Sequence, residues 1–131
     1  FLDFVISRTS QPARNNPVIL ATLPGEQHGI GLLMTEAMLL TRGIPSLNLG
    51  TQIPIPQIVL VAGKAEARAV GLSFSASFPQ RKIRPLLREL LEATPESLEL
   101  LVGGAGILQI KRAPERTRLI RSFDELQMMG E

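Results

Sequence analysis

The sequence predicts an α/β fold in which five parallel strands form one sheet with helices wound on both faces. Short apolar runs alternate along the chain with longer runs whose apolar residues recur every three or four positions. The short runs are apolar at nearly every residue, as in parallel strands that are covered on both faces. The longer runs have the periodicity of amphipathic helices. Strand and helix alternate five times within 131 residues, which favours a single doubly wound domain.

The first half of the chain provides two strands and two helices. Residues 18–22 are the first strand, and residues 32–42 are the first helix. One apolar stripe of this helix is expected to face the core, and it consists of Ile30, Leu33, Met34, Ala37 and Leu40 or Thr41. Residues 44–49 are the second strand, and Pro54 and Pro56 suit the first turn of a second helix.

The second half repeats the pattern, beginning with a third strand at residues 69–74. The third helix is expected to direct inward the apolar residues Ile83, Leu86, Leu87, Leu90 and Leu91. Pro85 lies among them, so this helix either begins close to Pro85 or is kinked there. Residues 98–102 are the fourth strand, residues 117–120 the fifth, and residues 123–129 a closing helix.

Composition limits the domain organisation and the class of function. Residues 1–16 are expected to be the end of an upstream helical segment followed by a linker, and residues 17–131 the domain itself. The chain has no cysteine and no apolar run that approaches the ~20 residues of a membrane span, so we expect a cytoplasmic protein without membrane contact. A net charge of +2 and an aromatic content of 4 % give no indication of a nucleic-acid-binding surface in this domain.

The most informative stretch is the loop between the first strand and the first helix, Pro24-Gly25-Glu26-Gln27-His28-Gly29-Ile30-Gly31. In parallel α/β folds such a loop lies at the carboxyl ends of the strands, where ligands bind. It contains the only histidine of the chain, and a neutral imidazole is a common metal ligand. Glu26, two residues away, can accept a hydrogen bond from the N–H of the other ring nitrogen. The glycines allow a bulky ligand to approach the backbone closely.

Two further loops are expected to meet this one. A flavodoxin-like (Rossmann-like) strand order, 2-1-3-4-5, makes strands 1 and 3 neighbours whose helices leave to opposite faces, and a crevice opens at their carboxyl ends. The loops after strands 1, 3 and 4 carry His28, Ser73 and Gly103-Gly104. This topology therefore brings residues as far apart as His28 and Gly103 to one site.

These residues resemble the signature of cobalamin-binding domains. That family has Asp-x-His-x-x-Gly after the first strand and further ligand contacts after the third and fourth strands. The corresponding residues here are Glu26-x-His28-x-x-Gly31, Ser73 in Leu72-Ser73-Phe74-Ser75, and Gly103-Gly104. The context Pro24 to His28, with Glu in place of Asp, is most similar to the cobalamin-binding domains at the C-terminus of MerR-type transcriptional regulators. The resemblance covers residues 17–126.

The resemblance implies a specific mode of binding. The nucleotide base of cobalamin would leave the cobalt and enter a slot between the sheet and the flanking helix, and His28 would replace it as lower axial metal ligand. Glu26 would fix the histidine tautomer, and Ser73 would donate a hydrogen bond to the tail. The candidate cofactor-binding residues are Glu26, His28, Gly29, Gly31, Leu49, Gly50, Ser73, Ser75, Ser77, Gly103 and Gly104. The resemblance leaves open whether the cofactor is adenosylcobalamin or methylcobalamin.

Three functions fit these residues. The leading hypothesis is a cobalamin-binding sensory domain of a transcriptional regulator, which binds DNA only through a helix-turn-helix domain upstream of Phe1. The first alternative is a corrinoid carrier module of a methyltransferase or mutase, in which the cofactor carries the chemistry. The second is a flavodoxin-like fold that has lost its cofactor. No nucleophile with a paired base stands out, so we expect the domain to be non-catalytic and any homo-oligomer to form through the parent protein.

Overall fold

The computed structural model describes residues 16–121, so the expected closing helix at residues 123–129 and all but the last residue of the expected upstream segment at residues 1–16 lie outside this range. Within it, strands and helices alternate as the sequence predicts. The elements are β1 Val18–Ala21, α1 Ile30–Thr41, β2 Ser46–Gly50, α2 Ile55–Lys64, β3 Ala69–Ser73, α3 Gln80–Glu92, β4 Glu99–Gly103 and β5 Thr117–Ile120, with a short 3₁₀ turn at Ala105–Ile107.

The five strands form one parallel sheet in the order β2-β1-β3-β4-β5, which confirms the predicted doubly wound, flavodoxin-like fold. β1 pairs with β2 on one side and with β3 on the other. Its register with β2 shifts after Leu20, so that Ala21 lies opposite Gly50. Because all strands are parallel, the loops after β1, β3 and β4 leave the same edge of the sheet.

The two faces of the sheet are covered unequally. Side chains alternate between the faces along each strand, and Ile19, Val70 and Leu100 are fully buried in the larger core under α2 and α3. The smaller core on the opposite face includes Leu20 from β1 and Leu32 from α1. Among the described elements α1 is the only helix on that face, which leaves space beside it over β3, β4 and β5.

The buried side of α1 is not the one that the sequence predicts. Leu32 and Leu39 pack on the sheet, whereas the predicted stripe is exposed: Ile30 is 67 %, Leu33 56 %, Met34 48 % and Leu40 76 % accessible, and Ala37 is exposed as well. The prediction was wrong because α1 is apolar around most of its circumference, so hydrophobic periodicity alone selects no unique face. A polar contact helps to set the orientation, since Asn48 Nδ2 donates to Oε1 of Glu36 (3.4 Å).

The third helix buries the side that the sequence predicts. α3 buries Ile83, Leu87 and Leu90 and runs without a break through Pro85, whose ring is exposed. Of the two alternatives for Pro85, the helix does not begin close to it but starts five residues earlier, at Gln80. No helix within residues 16–121 is long and apolar enough to cross a membrane.

Candidate functional site

The loop after β1 is shaped by a buried threonine and a glycine. Thr22 is fully buried; its Oγ1 donates to the carbonyl oxygen of Glu26 (2.7 Å) and accepts from the backbone N–H of Gln52 (2.9 Å). Gly25 has a φ of +96°, a conformation that glycine adopts without a steric penalty. The chain turns here so that the side chain of Glu26 is 2 % exposed and that of His28 is 64 % exposed.

The carboxylate of Glu26 is the buried centre of the site. Its Oε1 accepts a hydrogen bond from the backbone N–H of Ser75 (2.6 Å). Its Oε2 accepts from the Ser75 hydroxyl (3.0 Å), from the backbone N–H of His28 (3.2 Å) and from Nδ1 of His28 (2.7 Å). The carboxylate of this longer side chain therefore folds back toward the backbone of His28. It also joins the loops after β1 and β3, whose residues are 49 positions apart in the sequence.

The pKa of the Glu26 carboxyl is lowered from its ordinary value. Burial alone would raise this pKa, but the hydrogen bonds from the Ser75 backbone, the His28 ring, the His28 backbone and the Ser75 hydroxyl favour the charged form and outweigh it. Glu26 is therefore ionised at neutral pH. Because an ionised carboxylate only accepts hydrogen bonds, Nδ1 of His28 is the donor in the contact between them.

This contact decides which nitrogen of His28 can bind a metal. With the hydrogen on Nδ1, the lone pair of the neutral ring is on Nε2, and the exposed side chain leaves that atom accessible. A carboxylate on one ring nitrogen and a metal on the other is the usual arrangement of a ligating histidine. Within residues 16–121 no three His, Asp or Glu side chains are gathered to hold a metal ion.

A slot of about 430 Å³ opens between α1 and strands β3 to β5, a volume within the range of small-molecule sites. Four of the predicted residues line it, namely Gly31, Ser73, Gly103 and Gly104. Its other lining residues are mostly apolar: Leu20, Leu32, Thr35, Gly71, Leu72, Leu101, Ala105, Leu108, Ile120 and Arg121. Such walls suit a flat or apolar group with few polar atoms.

Two glycines of the slot are required by close packing. A Cβ on Gly31 would lie 2.9 Å from the hydroxyl oxygen of Ser73, so glycine keeps that hydroxyl accessible. Gly104 has a φ of +95°, and a Cβ there would overlap the backbone carbonyl of Phe74. The second glycine of the pair thus allows the loop after β3 to pack closely, in addition to lining the slot.

The remaining predicted residues lie in two places. Ser75 and Ser77 belong to the hydrogen-bonded cluster around Glu26, since their hydroxyl oxygens are 2.9 Å apart. Three others line neither the slot nor the cluster: Gly29 is the N-cap of α1, Leu49 packs at the edge of the larger core, and Gly50 ends β2 with a φ of +99°. Their contact with a ligand stays a prediction.

Most of the slot lining was not predicted from the sequence. One signal was present at Gly71, a glycine in the middle of an apolar strand, which indicates a close approach of another group. A Cβ on Gly71 would lie 2.7 Å from Cδ2 of Leu20. The other lining residues, such as Leu101, are apolar strand residues that only the strand order assigns to this face.

Comparison with known proteins shows which proteins the chain is similar to. No protein-family model matches it. Dimethylamine corrinoid protein 1 of Methanosarcina acetivorans is 29 % identical over 103 residues, which are 76 % of this chain and 47 % of that protein. Methionine synthase of Mycobacterium tuberculosis is 27 % identical over 108 residues, 82 % of this chain and 9 % of that protein. The solved methanol:cobalamin methyltransferase complex of Methanosarcina barkeri matches with a TM-score of 0.71 at 14 % identity, over 92 % of this chain and 46 % of that one.

The chain has the cobalamin-binding fold of corrinoid proteins. It spans about half the length of the dimethylamine corrinoid protein and a small part of methionine synthase. The corrinoid-protein fold agrees with the resemblance seen in the sequence. None of the three proteins is named as a transcriptional regulator, and the affiliation with MerR-type regulators therefore stays a prediction.

Proposed function

We propose that this chain binds a corrinoid through Nε2 of His28, which serves as the lower axial ligand of cobalt. The observation that supports this most directly is the buried carboxylate of Glu26, which holds Nδ1 of His28 at 2.7 Å while the His28 side chain is 64 % exposed. The bound corrinoid supplies a cobalt centre that can carry an alkyl group. The residues of this chain bind it, orient the imidazole and keep the hydrogen on Nδ1.

The described residues fit a corrinoid in two respects. His28 would provide the protein's contact to the cobalt, with Glu26 fixing its tautomer through the 2.7 Å contact to Nδ1. The slot suits the nucleotide tail, because its apolar walls can pack on a base and the Ser73 hydroxyl has no hydrogen-bond partner among the described residues. Thr35 adds a second hydroxyl to the lining, although it donates to the carbonyl oxygen of Gly31 (2.9 Å).

For the bound corrinoid we propose the role of a carrier module in a methyl-transfer system. The similarity to a dimethylamine corrinoid protein and the shared fold with a chain of a methanol:cobalamin methyltransferase complex support this role. In this role the module is not itself an enzyme, because the bound cofactor carries the chemistry. Its partner is a methyltransferase that acts on the bound cofactor.

One observation favours a second role, the sensory domain of a transcriptional regulator. The sequence Pro24-Gly25-Glu26-Gln27-His28, with Glu in place of Asp, resembles that class. In this role the corrinoid biases a conformational or oligomeric equilibrium, and DNA is bound by a separate domain. A helix-turn-helix domain upstream of Phe1 in the full-length gene product would favour the sensory role, and a methyltransferase or mutase domain there would favour the carrier.

Nitrogen-15 labelling of histidine tests the axial ligand. The cobalt(II) paramagnetic resonance spectrum of the cobalamin complex should show an axial triplet with natural histidine and a doublet with labelled histidine. His28→Ala should abolish this change and weaken binding, whereas Gln27→Ala, an exposed neighbour in the same loop, should leave both unchanged. Glu26→Gln should keep the histidine signal and weaken binding by roughly 10–100-fold, as for other partners of ligating histidines. Bound cobalamin without a histidine nitrogen on cobalt would refute the proposal.

A further inference from the structure

Two polar or charged side chains are buried within residues 16–121, and both belong to the segment that carries His28. They are Thr22, which is fully buried, and Glu26, which is 1 % exposed. Glu26 contacts Nδ1 of His28 directly. The hydroxyl of Thr22 donates instead to the backbone carbonyl oxygen of Glu26 (2.7 Å). A buried hydroxyl costs free energy unless it is hydrogen-bonded, and this one is bonded within the candidate site.

The bonds of Thr22 hold the loop after β2 against the loop after β1. Its backbone N–H donates to the carbonyl oxygen of Gly50 (3.1 Å), and its carbonyl oxygen accepts from the N–H of Ile53 (2.8 Å). Its Oγ1 also accepts from the N–H of Gln52 (2.9 Å). Any residue except proline could make the first two bonds at this position, because they use only the backbone. The hydroxyl is therefore the group that joins Gln52 to Glu26.

The loop after β2 also contacts the segment that carries the histidine on both sides of His28. Before it, the N–H of Gly25 donates to Oε1 of Gln52 (3.4 Å). After it, a Cβ on Gly29 would lie 3.0 Å from Cγ2 of Thr51. Gln52 has a φ of +57°, which residues other than glycine rarely adopt and which persists only where the surrounding structure determines it. This loop is therefore a fixed support for the segment that carries the histidine.

We infer that Thr22 is a positioning residue for His28 when a corrinoid binds, an inference that rests on the proposed function. The Thr22 hydroxyl fixes the backbone carbonyl of Glu26 relative to the loop after β2. The carboxylate of Glu26, which starts from the same Cα, then reaches Nδ1 of His28 (2.7 Å). Thr22 is fully buried, so it acts on the ligand through this chain of contacts and not by touching it.

Thr22→Val tests the role of the hydroxyl, because valine replaces it by a methyl group of similar size. The Glu26 carbonyl then loses a donor and the Gln52 N–H loses its acceptor, so the segment that carries the imidazole is held less firmly. We expect the cobalamin affinity of the full chain, measured by absorbance titration, to fall by about 10-fold, the lower end of the range for partners of ligating histidines. With nitrogen-15-labelled histidine, the share of bound cobalt(II) whose paramagnetic resonance shows a histidine nitrogen should fall as well.

Two controls separate the hydroxyl from packing and from stability. Thr22→Ser keeps the hydroxyl and loses the methyl group, so it should retain both the affinity and the histidine signal. Leu98→Ala shortens a buried side chain of the larger core that directly precedes β4, at the opposite edge of the sheet from His28. It should lower the urea midpoint at least as much as Thr22→Val does. Its affinity, measured without urea where circular dichroism shows that each variant is folded, should be unchanged.

Several results would overturn the inference. One is a Thr22→Val protein that binds cobalamin as tightly as the original chain, and another is weaker binding with the full share of histidine-bound cobalt, since the threonine would then not act through His28. A loss of affinity in Thr22→Ser, whether or not Thr22→Val folds, would show that packing matters and the hydroxyl does not. A similar loss in Leu98→Ala would show that stability alone explains the effect.

The same spectra distinguish this inference from the proposed function. Cobalamin bound to the original chain without a histidine nitrogen on cobalt would refute both. A histidine nitrogen in the original chain, together with unchanged binding by Thr22→Val, would refute only the role of Thr22.

Discussion

Glu26→Gln tests whether the buried carboxylate holds the site together. The substitution keeps the shape of the side chain but removes its charge and replaces one acceptor oxygen by an amino group that donates. In the structure all four hydrogen bonds of the Glu26 carboxylate come from donors on His28 and Ser75. A side chain with one donor end cannot satisfy them all.

The expected loss of stability follows from these contacts. If the amide oxygen takes the place of Oε2, the amino group faces the Ser75 backbone N–H, which lies 2.6 Å from Oε1 in the original protein. That N–H then has no acceptor, which costs about 1–3 kcal/mol, and the remaining bonds lose the strength that an ionised acceptor provides. The neutral amide is easier to bury, which offsets part of the loss. We expect a decrease of about 3 kcal/mol in the free energy of unfolding.

Urea unfolding at several pH values measures this decrease. At neutral pH the midpoint of Glu26→Gln should fall while the slope with denaturant stays the same. The folded-state pKa of Glu26 is lowered, so its charged form stabilises the fold above the unfolded pKa of about 4.3. That contribution is lost as the pH falls through the folded pKa. The difference between the original protein and Glu26→Gln should therefore be constant above about pH 5 and shrink below about pH 4.3.

Ser75→Ala serves as the control, because it removes one hydroxyl donor and retains the backbone N–H. It should lower the free energy of unfolding by about 1 kcal/mol. A Glu26→Gln protein within about 0.5 kcal/mol of the original at neutral pH would refute the reasoning, since surface substitutions without special contacts reach that value.

Two further substitutions test the framework around the site by urea unfolding. Gly104→Ala should destabilise by about 3 kcal/mol or more, because it combines a φ of +95° with an overlap on the Phe74 carbonyl. Its control Gly50→Ala should cost only about 1–2 kcal/mol, since Gly50 has a φ of +99° with nothing within 4 Å of the added Cβ; equal losses would contradict the packing argument. Arg116→Ala should cost about 2–3 kcal/mol, because the guanidinium donates to the carbonyls of Leu91 (2.6 Å), Leu98 (3.3 Å) and Pro95. Arg118→Ala should change the free energy of unfolding by no more than about 0.5 kcal/mol, because its 3.2 Å contact with Glu99 is exposed. A similar loss of stability in both variants would show that the arginine charge, and not the contacts with the three carbonyls, stabilises the fold.

The strands could be predicted because their sequences are unambiguous. A run such as residues 18–22 is apolar at every position but the last, and this pattern and length are typical of a strand that is covered on both faces. The orientation of α1 could not be predicted in the same way. Its apolar residues surround the helix, and the choice of buried face depends on which neighbours β2 and β3 present, which is tertiary information.

In the candidate site, too, contacts within one loop could be predicted and contacts between distant segments could not. The motif Glu26-x-His28 indicated the contact between carboxylate and imidazole because two residues in one loop are local to each other. Ser75 was named from its place in the sequence, but its two hydrogen bonds to Glu26 depend on how closely the loops after β1 and β3 approach. The slot wall formed by Leu101 and Ile120 depends on strand order and register, and no local pattern carries that information.

The loop after β3 makes two distant contacts with very little chain between them. Ser73 lines the slot, and Ser75 holds Glu26 and, through it, the ring of His28. Because the two serines are only two positions apart in the sequence, we expect a displacement of one to shift the other. We therefore expect filling of the slot and orientation of the His28 imidazole to influence each other, and such an influence is reciprocal.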